Sequence, residues 1–346
     1  MNILVVTGYH VDDDWVRLKL FAHLSSHGHQ VYRLDQPSFW IKKLRHHNSQ
    51  KMIVPNILVP SRFASESHTR RAQVAALRKW TDTIDLVWIM HPDSHWIWSH
   101  FPKALKVYDA FDHFPALEPQ RYDSLYLTEQ HVVENADLVL CASNANYNRL
   151  RSISRDCMYL PNAVDPETMF APSTQQRAPI LGVVSYSESR VNWDLLDSVS
   201  QWNSSFTIEV VTHSTRSTRG NIRVLGPVPV KQLRNVMCNW QVGLIAYPES
   251  EFNRYAGPLK IFEYVAAGCN VVGIANPEVK EYSLRYPFIF YADKGTEFLD
   301  CVSTALEHPL LAEQQGDFLS MENWAKRAAA VNGAIASIQG KSAATF

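Results

Sequence analysis

The sequence predicts an α/β protein built from two doubly wound domains, and three observations carry that prediction. Short continuous apolar runs such as Asn2–Thr7 and Ile180–Val184 recur along the chain, each with the character of a parallel strand buried on both faces. Helical patterns separate them, so that Asn2–Leu34 reads as strand, helix, strand, and the same alternation restarts after a Ser-, Thr-, Gln- and Pro-rich stretch at 171–179. At 346 residues the chain is long enough for two cores. The expected boundaries are a first domain over 1–170, a second over 171–316, and a closing amphipathic segment, 317–346, that returns to the first.

Composition narrows the function classes. Hydrophobic residues make up 46% and charged residues 19%, as in globular proteins, and the net charge of −1 gives no general attraction to nucleic acid. The 5 cysteines lack C-x-x-C spacing and fit reduced thiols better than a disulfide frame or a zinc site. Metal ligation is not expected, because the 14 histidines are scattered and His46-His47 is not ligand spacing on a helix. The N-terminus runs directly into a strand, and no apolar run approaches the roughly 20 residues that span a bilayer. The expectation is a cytoplasmic protein without a signal peptide.

Taken in order, Asn2–Thr7 is the first strand, and the chain then turns through Gly8 to Val11. His10 lies on the loop leaving the carboxyl end of that strand, the edge where open α/β sheets bind ligands. Asp12, Asp13 and Asp14 favour capping of a helix over Trp15–Ser26, and Gln30–Leu34 is the second strand. Residues 33–80 carry ten lysines and arginines against two acids, interleaved with Phe39, Trp40, Ile41 and Phe63. Two readings stay open there: a solvated face, or a surface for anionic lipid headgroups or a phosphorylated acceptor, at about 1 kcal/mol per cation near a charged membrane.

Ile84–Met90 and Ala104–Tyr108 read as further strands, and the second runs into Asp109-Ala-Phe-Asp112-His113. Carboxylates at Asp109 and Asp112, three apart at a strand's carboxyl end, suggest acid–base chemistry, although Asp109 also suits a helix cap or turn. A helix near Ser124–Asn135, a strand at Asp137–Cys141 and a helix from Asn144 complete the first domain. The second offers strands at Ile180–Val184, Phe206–Thr212, Ile222–Leu225, Val242–Ile245, Asn270–Ile274 and Phe288–Tyr291, with helices at Asn192–Trp202 and Val230–Asn239.

The most informative stretch is Tyr255–Val272. Pro258 suits a first helical position and Gly268 the left-handed residue past a helix end. Leu259, Phe262 and Ala266 would face a core, leaving Lys260 and Glu263 together on another face. The start of such a helix favours an anion, Lys260 adds a full charge, and Glu263 can accept from two sugar hydroxyls. The same spacing is that of an ordinary surface ion pair, and spacing alone leaves both readings open.

Several phrases resemble the GT-B glycosyltransferases, whose fold is two Rossmann-like domains facing a cleft. These are His27-Gly-His-Gln-Val31, Leu160-Pro-Asn-Ala-Val-Asp165, Arg190-Val-Asn-Trp-Asp-Leu-Leu196, Val224-Leu-Gly-Pro-Val228 and Trp324-Ala-Lys-Arg327. Gly243-Leu-Ile-Ala-Tyr-Pro248, followed by Pro258-Leu-Lys-Ile-Phe-Glu-Tyr264 and Ala267-Gly268, is the most specific match. The likeness is to group 1, or family 4-like, transferases of bacterial polysaccharide and envelope assembly.

The resemblance implies transfer from a nucleotide-sugar, usually a UDP-sugar, without metal or other cofactor. Arg190 and Lys260 would neutralise the diphosphate, Pro258 and Leu259 would open the helix that adds N–H groups, and Glu263 would hold the ribose. Tyr247 and the backbone near Gly226 would border sugar and base. The acceptor would be a glycan or glycolipid, at the inner face of the membrane if 33–80 touches lipid. Where many retaining members carry a first glutamate, with seven residues between it and the one matched by Glu263, this chain has Tyr255, which turns the expectation toward inversion. The base candidates are then Asp112, followed by Asp109 and His10. A UDP-sugar 2-epimerase and a catalytically silent binding module share this architecture and are the alternatives.

Overall fold

The structure, a computed structural model, describes residues 1–8, 15–34, 51–52, 66–78, 82–172, 177–218 and 220–343. His10, Asp12–Asp14 and most of the basic 33–80 stretch lie outside the described residues. The chain divides into two units, one comprising Met1–Pro161 with Ala325–Phe346 and the other Asn162–Trp324.

The first unit contains β1 (Asn2–Val6), α1 (Leu18–Ser26), β2 (Gln30–Leu34), β3 (Lys51–Met52), α2 (Glu66–Leu77), β4 (Leu86–Ile89) and β5 (Leu105–Ala110). It continues through α3 (Phe114–Leu117), α4 (Tyr122–Asn135), β6 (Leu138–Cys141), α5 (Asn144–Leu150) and β7 (Cys157–Tyr159). Its strands form a parallel sheet in the order β3-β2-β1-β4-β5-β6-β7. The order reverses between β1 and β4, the switch point of a doubly wound sheet. Phe21 of α1 packs edge-on to Trp88 of β4 at 5.0 Å, which seats the first crossover helix on the sheet.

The second unit contains α6 (Pro166–Met169), β8 (Ile180–Val184), α7 (Trp193–Trp202), β9 (Thr207–Val211), β10 (Ile222–Val224), α8 (Val230–Met237) and β11 (Val242–Ala246). Then come α9 (Glu251–Tyr255), α10 (Lys260–Ala266), β12 (Asn270–Ile274), α11 (Pro277–Ser283), β13 (Ile289–Ala292), α12 (Gly295–Glu307) and α13 (Ala312–Met321). The sheet order is β10-β9-β8-β11-β12-β13, again parallel, with its reversal between β8 and β11. Alternate residues of one strand feed two cores: Leu181 and Val183 join Leu196, Ile208 and Phe298, while Val184 joins Trp240, Phe262 and Phe318. Burial on both faces is why these strands are apolar without a break.

The division falls at Pro161/Asn162 and not after 170, because residues 162–172 are fastened to the second unit. Asn162 Nδ2 donates to the Gly257 carbonyl at 2.7 Å, Val164 bridges Asn323, and the Ala171 N–H donates to the Ala266 carbonyl at 2.9 Å. The expected single segment from Asp317 is likewise two helices, α13 and α14 (Trp324–Ala343), broken at Glu322 and Asn323. Gln315 and Phe318 tie α13 into the second unit, Gln315 Nε2 donating to the carbonyls of Ala171, Val265 and Ala266. In contrast α14 meets the first unit, with Asn332 Oδ1 2.8 Å from His29 Nε2 and Lys341 Nζ 2.8 Å from Asp156.

Candidate functional site

The carboxyl edge of the second sheet gathers most of the expected donor-binding residues, at the point where β8 and β11 adjoin and the strand order reverses. Chains leaving two neighbouring strands in opposite directions open a crevice there. Leaving β8, the chain runs through Ser185 and Tyr186 to a short 3₁₀ turn, Glu188–Arg190. Leaving β11, it runs through Tyr247 and Pro248 into α9 and then α10.

Arg190 and Tyr247 meet directly. The guanidinium carbon lies 4.6 Å from the Tyr247 ring centroid and 4.8 Å from that of Phe252, and Nε donates to Asn253 Oδ1 at 3.3 Å. Aromatic contact and one hydrogen bond hold the planar cation in place. Its terminal nitrogens make no hydrogen bond or ion pair among the described residues, which leaves the four N–H donors of Nη1 and Nη2 for an anion.

Lys260 and Glu263 also meet, but on a different kind of helix from the one expected. The helix α10 starts at Lys260, two residues after Pro258, and Leu259 occupies its N-cap position with helical backbone angles. Ile261 through Ala266 are all buried, so the expected face of Leu259, Phe262 and Ala266 is not the helix's only core face. It is enclosed on nearly every side because β11, β12, α13 and α6 surround it. Gly268, with φ of 82°, closes it: the Gly268 N–H donates to the Val265 carbonyl and the Cys269 N–H to that of Tyr264, both at 2.9 Å. Within this enclosure Lys260 Nζ pairs with Glu263 Oε2, the two side chains 15% and 7% exposed, so the pair is not a solvated surface bridge.

Tyr186 was not among the residues singled out from sequence, and it ties the loop bearing Gly226 to this edge. Its hydroxyl donates to the Val228 carbonyl at 2.6 Å, and its ring centroid is 5.9 Å from that of His213. Its phenol is pushed above its ordinary pKa by burial and by the nearby Glu263 carboxylate. Asn253 was also missed; a lone asparagine in a short helix gives no periodic signal.

The base candidates separate in the first unit. Asp109 lies within β5, fully buried, with Oδ1 2.6 Å from Arg17 Nη2 and Oδ2 accepting from Arg17 Nε at 3.1 Å and Trp88 Nε1 at 3.3 Å. This carboxylate is the counter-ion of Arg17 and is enclosed by protein. Asp112, half-buried on the loop after β5, stands between Phe111, which packs edge-on to Trp15 at 5.3 Å, and the buried His113. Nearby His91, at the end of β4, has Nε2 3.4 Å from Glu118 Oε1, while its Nδ1 accepts from the Asp93 N–H at 3.2 Å. Burial lowers its pKa despite Asp93 and Glu118. Among the described residues no cluster of three or more His, Cys, Asp or Glu could hold a metal ion.

Comparison with known proteins bears on the same unit. Residues 175–330 match a family model described as Glycosyl transferase-like. The match covers most of the second unit. A Bacillus subtilis (strain 168) protein, TuaH, provisionally named a teichuronic acid biosynthesis glycosyltransferase, is 29% identical over 83 residues, which is 24% of this chain and 20% of that protein. Among solved structures, sucrose-phosphate synthase from Thermosynechococcus elongatus superposes with a TM-score of 0.76 at 13% identity, covering 98% of this chain and 99% of that one. Anabaena HepE in complex with UDP and glucose gives 0.68 at 14% identity, over 97% and 99%. WaaG, a glycosyltransferase of lipopolysaccharide biosynthesis, gives 0.64 at 12% identity, over 96% and 98%. These likenesses establish the fold, two doubly wound α/β units of the GT-B class. Arg190, Gly226, Tyr247, Pro258, Leu259, Lys260 and Glu263 all fall inside the residues that the family model matches.

Proposed function

We propose that this protein transfers a sugar from a nucleoside diphosphate sugar, a UDP-sugar, to an acceptor hydroxyl. The observation that carries the proposal is Arg190, whose guanidinium is held by Tyr247, Phe252 and Asn253 with its terminal donors without a partner among the described residues, on the same sheet edge as Lys260 and Glu263. Arg190 and Lys260 would carry the diphosphate charge as it grows on the leaving group, without a metal ion and without reorganising during the reaction. On ligand binding Lys260 would exchange its Glu263 partner for phosphate, freeing Glu263 to accept from ribose hydroxyls.

Asp112 is the proposed base, taking the acceptor proton as the hydroxyl attacks the anomeric carbon with inversion, a contribution of about 10²–10⁴-fold. His10 is the remaining candidate. The enclosed Asp109 would serve this chemistry only through Arg17. The acceptor is proposed to be a glycan or a lipid-linked intermediate, in keeping with the polysaccharide assembly named for TuaH and WaaG. For a lipid-linked acceptor, the basic 33–80 stretch would bring the protein to an anionic membrane face.

Calorimetric titration with UDP, followed by incubation with UDP-sugars, tests this reading. Saturable UDP binding in EDTA, measurably weakened but not abolished in Arg190→Ala, Lys260→Ala and Glu263→Ala, is expected. Unchanged titrations in all three variants would reject the donor site. Asp112→Asn should bind UDP normally and release sugar far more slowly, whereas normal turnover would remove Asp112 from the mechanism. Appearance of an epimeric UDP-sugar without acceptor would favour the epimerase chemistry instead.

A further inference from the structure

A hydrogen-bonded chain of buried side chains stands behind Arg190. It begins at the end of β12, where Ala275 takes a φ of 57°, the left-handed region that an alanine rarely adopts. That turn aims Asn276, which is fully buried, back across the unit. Asn276 Oδ1 accepts from the Val279 N–H at 3.1 Å and so caps α11. Its Nδ2 donates to the carbonyls of Asn253 at 2.6 Å and Ala256 at 3.1 Å, holding the last turn of α9 and the segment that leads to Lys260.

Asn253 continues the chain. It is 2% exposed, its Nδ2 donates to the Pro248 carbonyl at 2.8 Å, and its Oδ1 accepts from Arg190 Nε at 3.3 Å. Its own N–H is received by Ser250 Oγ at 3.1 Å, the cap of α9. Both polar atoms of the Asn253 side chain are therefore used, the amide nitrogen donating to Pro248 while the amide oxygen accepts from Arg190. An arginine fixed in this way before a ligand arrives loses less side-chain freedom on binding.

We propose that Asn276 and Asn253 are positioning residues for the nucleoside diphosphate site, setting the guanidinium of Arg190 and the approach of the chain to Lys260. The inference rests on the donor-site reading above and extends it to residues that touch no ligand. The left-handed Ala275 is the bend that lets Asn276 serve α11 and α9 at once.

The test is a double-mutant cycle on UDP affinity in the full chain, using Asn276→Ser, Arg190→Ala and the pair. Serine still caps α11 and removes the two amide donors. Asn276→Ser should still unfold cooperatively, at a melting temperature lowered by the two carbonyls left without this donor, and raise the UDP Kd about five- to tenfold. Donor KM should rise with it while kcat at saturating donor changes little. In the Arg190→Ala background the same substitution should alter Kd by less than about twofold, since the group it positions is gone. Asn253→Ala, which leaves the α11 cap intact, should behave likewise and serves if Asn276→Ser fails to fold. Wild-type affinity in Asn276→Ser and Asn253→Ala, or equal losses with and without Arg190, would overturn the proposal and leave the chain a purely structural brace. A wild type that binds no UDP would instead remove the donor-site reading, and this inference with it.

Discussion

Arg17 and Asp109 form an ion pair with no access to water, Nη2 lying 2.6 Å from Oδ1 with side chains 1% and 0% exposed. The pair joins the start of α1 to β5, beside the reversal of strand order in the first sheet, and Arg17 also reaches the Leu160 carbonyl at 3.4 Å. Two charges out of water persist only because each satisfies the other.

Removing one partner should therefore cost far more than removing an exposed one. Asp109→Ala and Arg17→Ala are each expected to lower the unfolding free energy by about 3–5 kcal/mol, read as a shifted denaturant midpoint. An activity loss in Asp109→Ala without that shift would reinstate Asp109 as a direct participant in catalysis.

Gly243 in β11 is set by its neighbour. A Cβ there would lie 2.2 Å from Cγ of Tyr264, whose hydroxyl receives the Val184 N–H at 2.9 Å at the end of β8. Gly243→Ala should force that ring aside and destabilise by about 1–3 kcal/mol, with the Tyr264→Phe variant separating the hydroxyl's share. Thermal unfolding of the two variants gives the comparison.

The cysteines should differ in reactivity. Cys157 Sγ lies 3.7 Å from Cys141 Sγ, and the hydrogen bond from Cys141 holds the half-buried Cys157 thiol below its ordinary pKa. That same bond, with burial, pushes Cys141 well up, and burial pushes Cys269 to about 12. In the native protein at neutral pH, iodoacetamide is expected to label Cys157 before Cys141, Cys269 or Cys301, as peptide mass spectrometry can show. Preferential labelling of Cys269 would contradict the packing around it.

Stability should fall on mild acidification through His91. Its pKa is lowered in the folded state by burial, so the unfolded chain binds the proton first as pH drops through 6.5. The contribution of neutral His91 is complete above that value and is lost as pH falls toward the folded-state pKa. Chemical denaturation between pH 7.5 and 5 (on the order of the histidine range) should show this slope in the wild type and a shallower one in His91→Gln.

The two sheets were legible because parallel strands buried on both sides leave unbroken apolar runs, and Asn2–Val6, Ile180–Val184 and Asn270–Ile274 match the expected strands closely. The amphipathic reading of α10 failed for a physical reason: periodicity presumes one solvent face, and this helix has none. The boundary signal at 171–179 misled because Pro and Ser report a surface path, not the hydrogen bonds that bind Asn162 and Ala171 to the second unit. Asp109 and Asp112 looked alike in sequence, and only burial separates the counter-ion from the half-exposed carboxylate. Asn253, Asn276 and Tyr186 act through neighbours distant in the chain, which no local pattern encodes.

The enclosure of α10 has a consequence for how any ligand leaves. A helix closed at Gly268, whose Phe262 packs on Tyr282 and Phe318 and whose Tyr264 packs on Trp240, should not fray one turn at a time. Its amides should exchange with deuterium only when the whole unit opens. Lys260 and Glu263 are thus mounted on a part of the domain expected to exchange slowly, and at the proposed donor site any opening should come from the surrounding loops giving way.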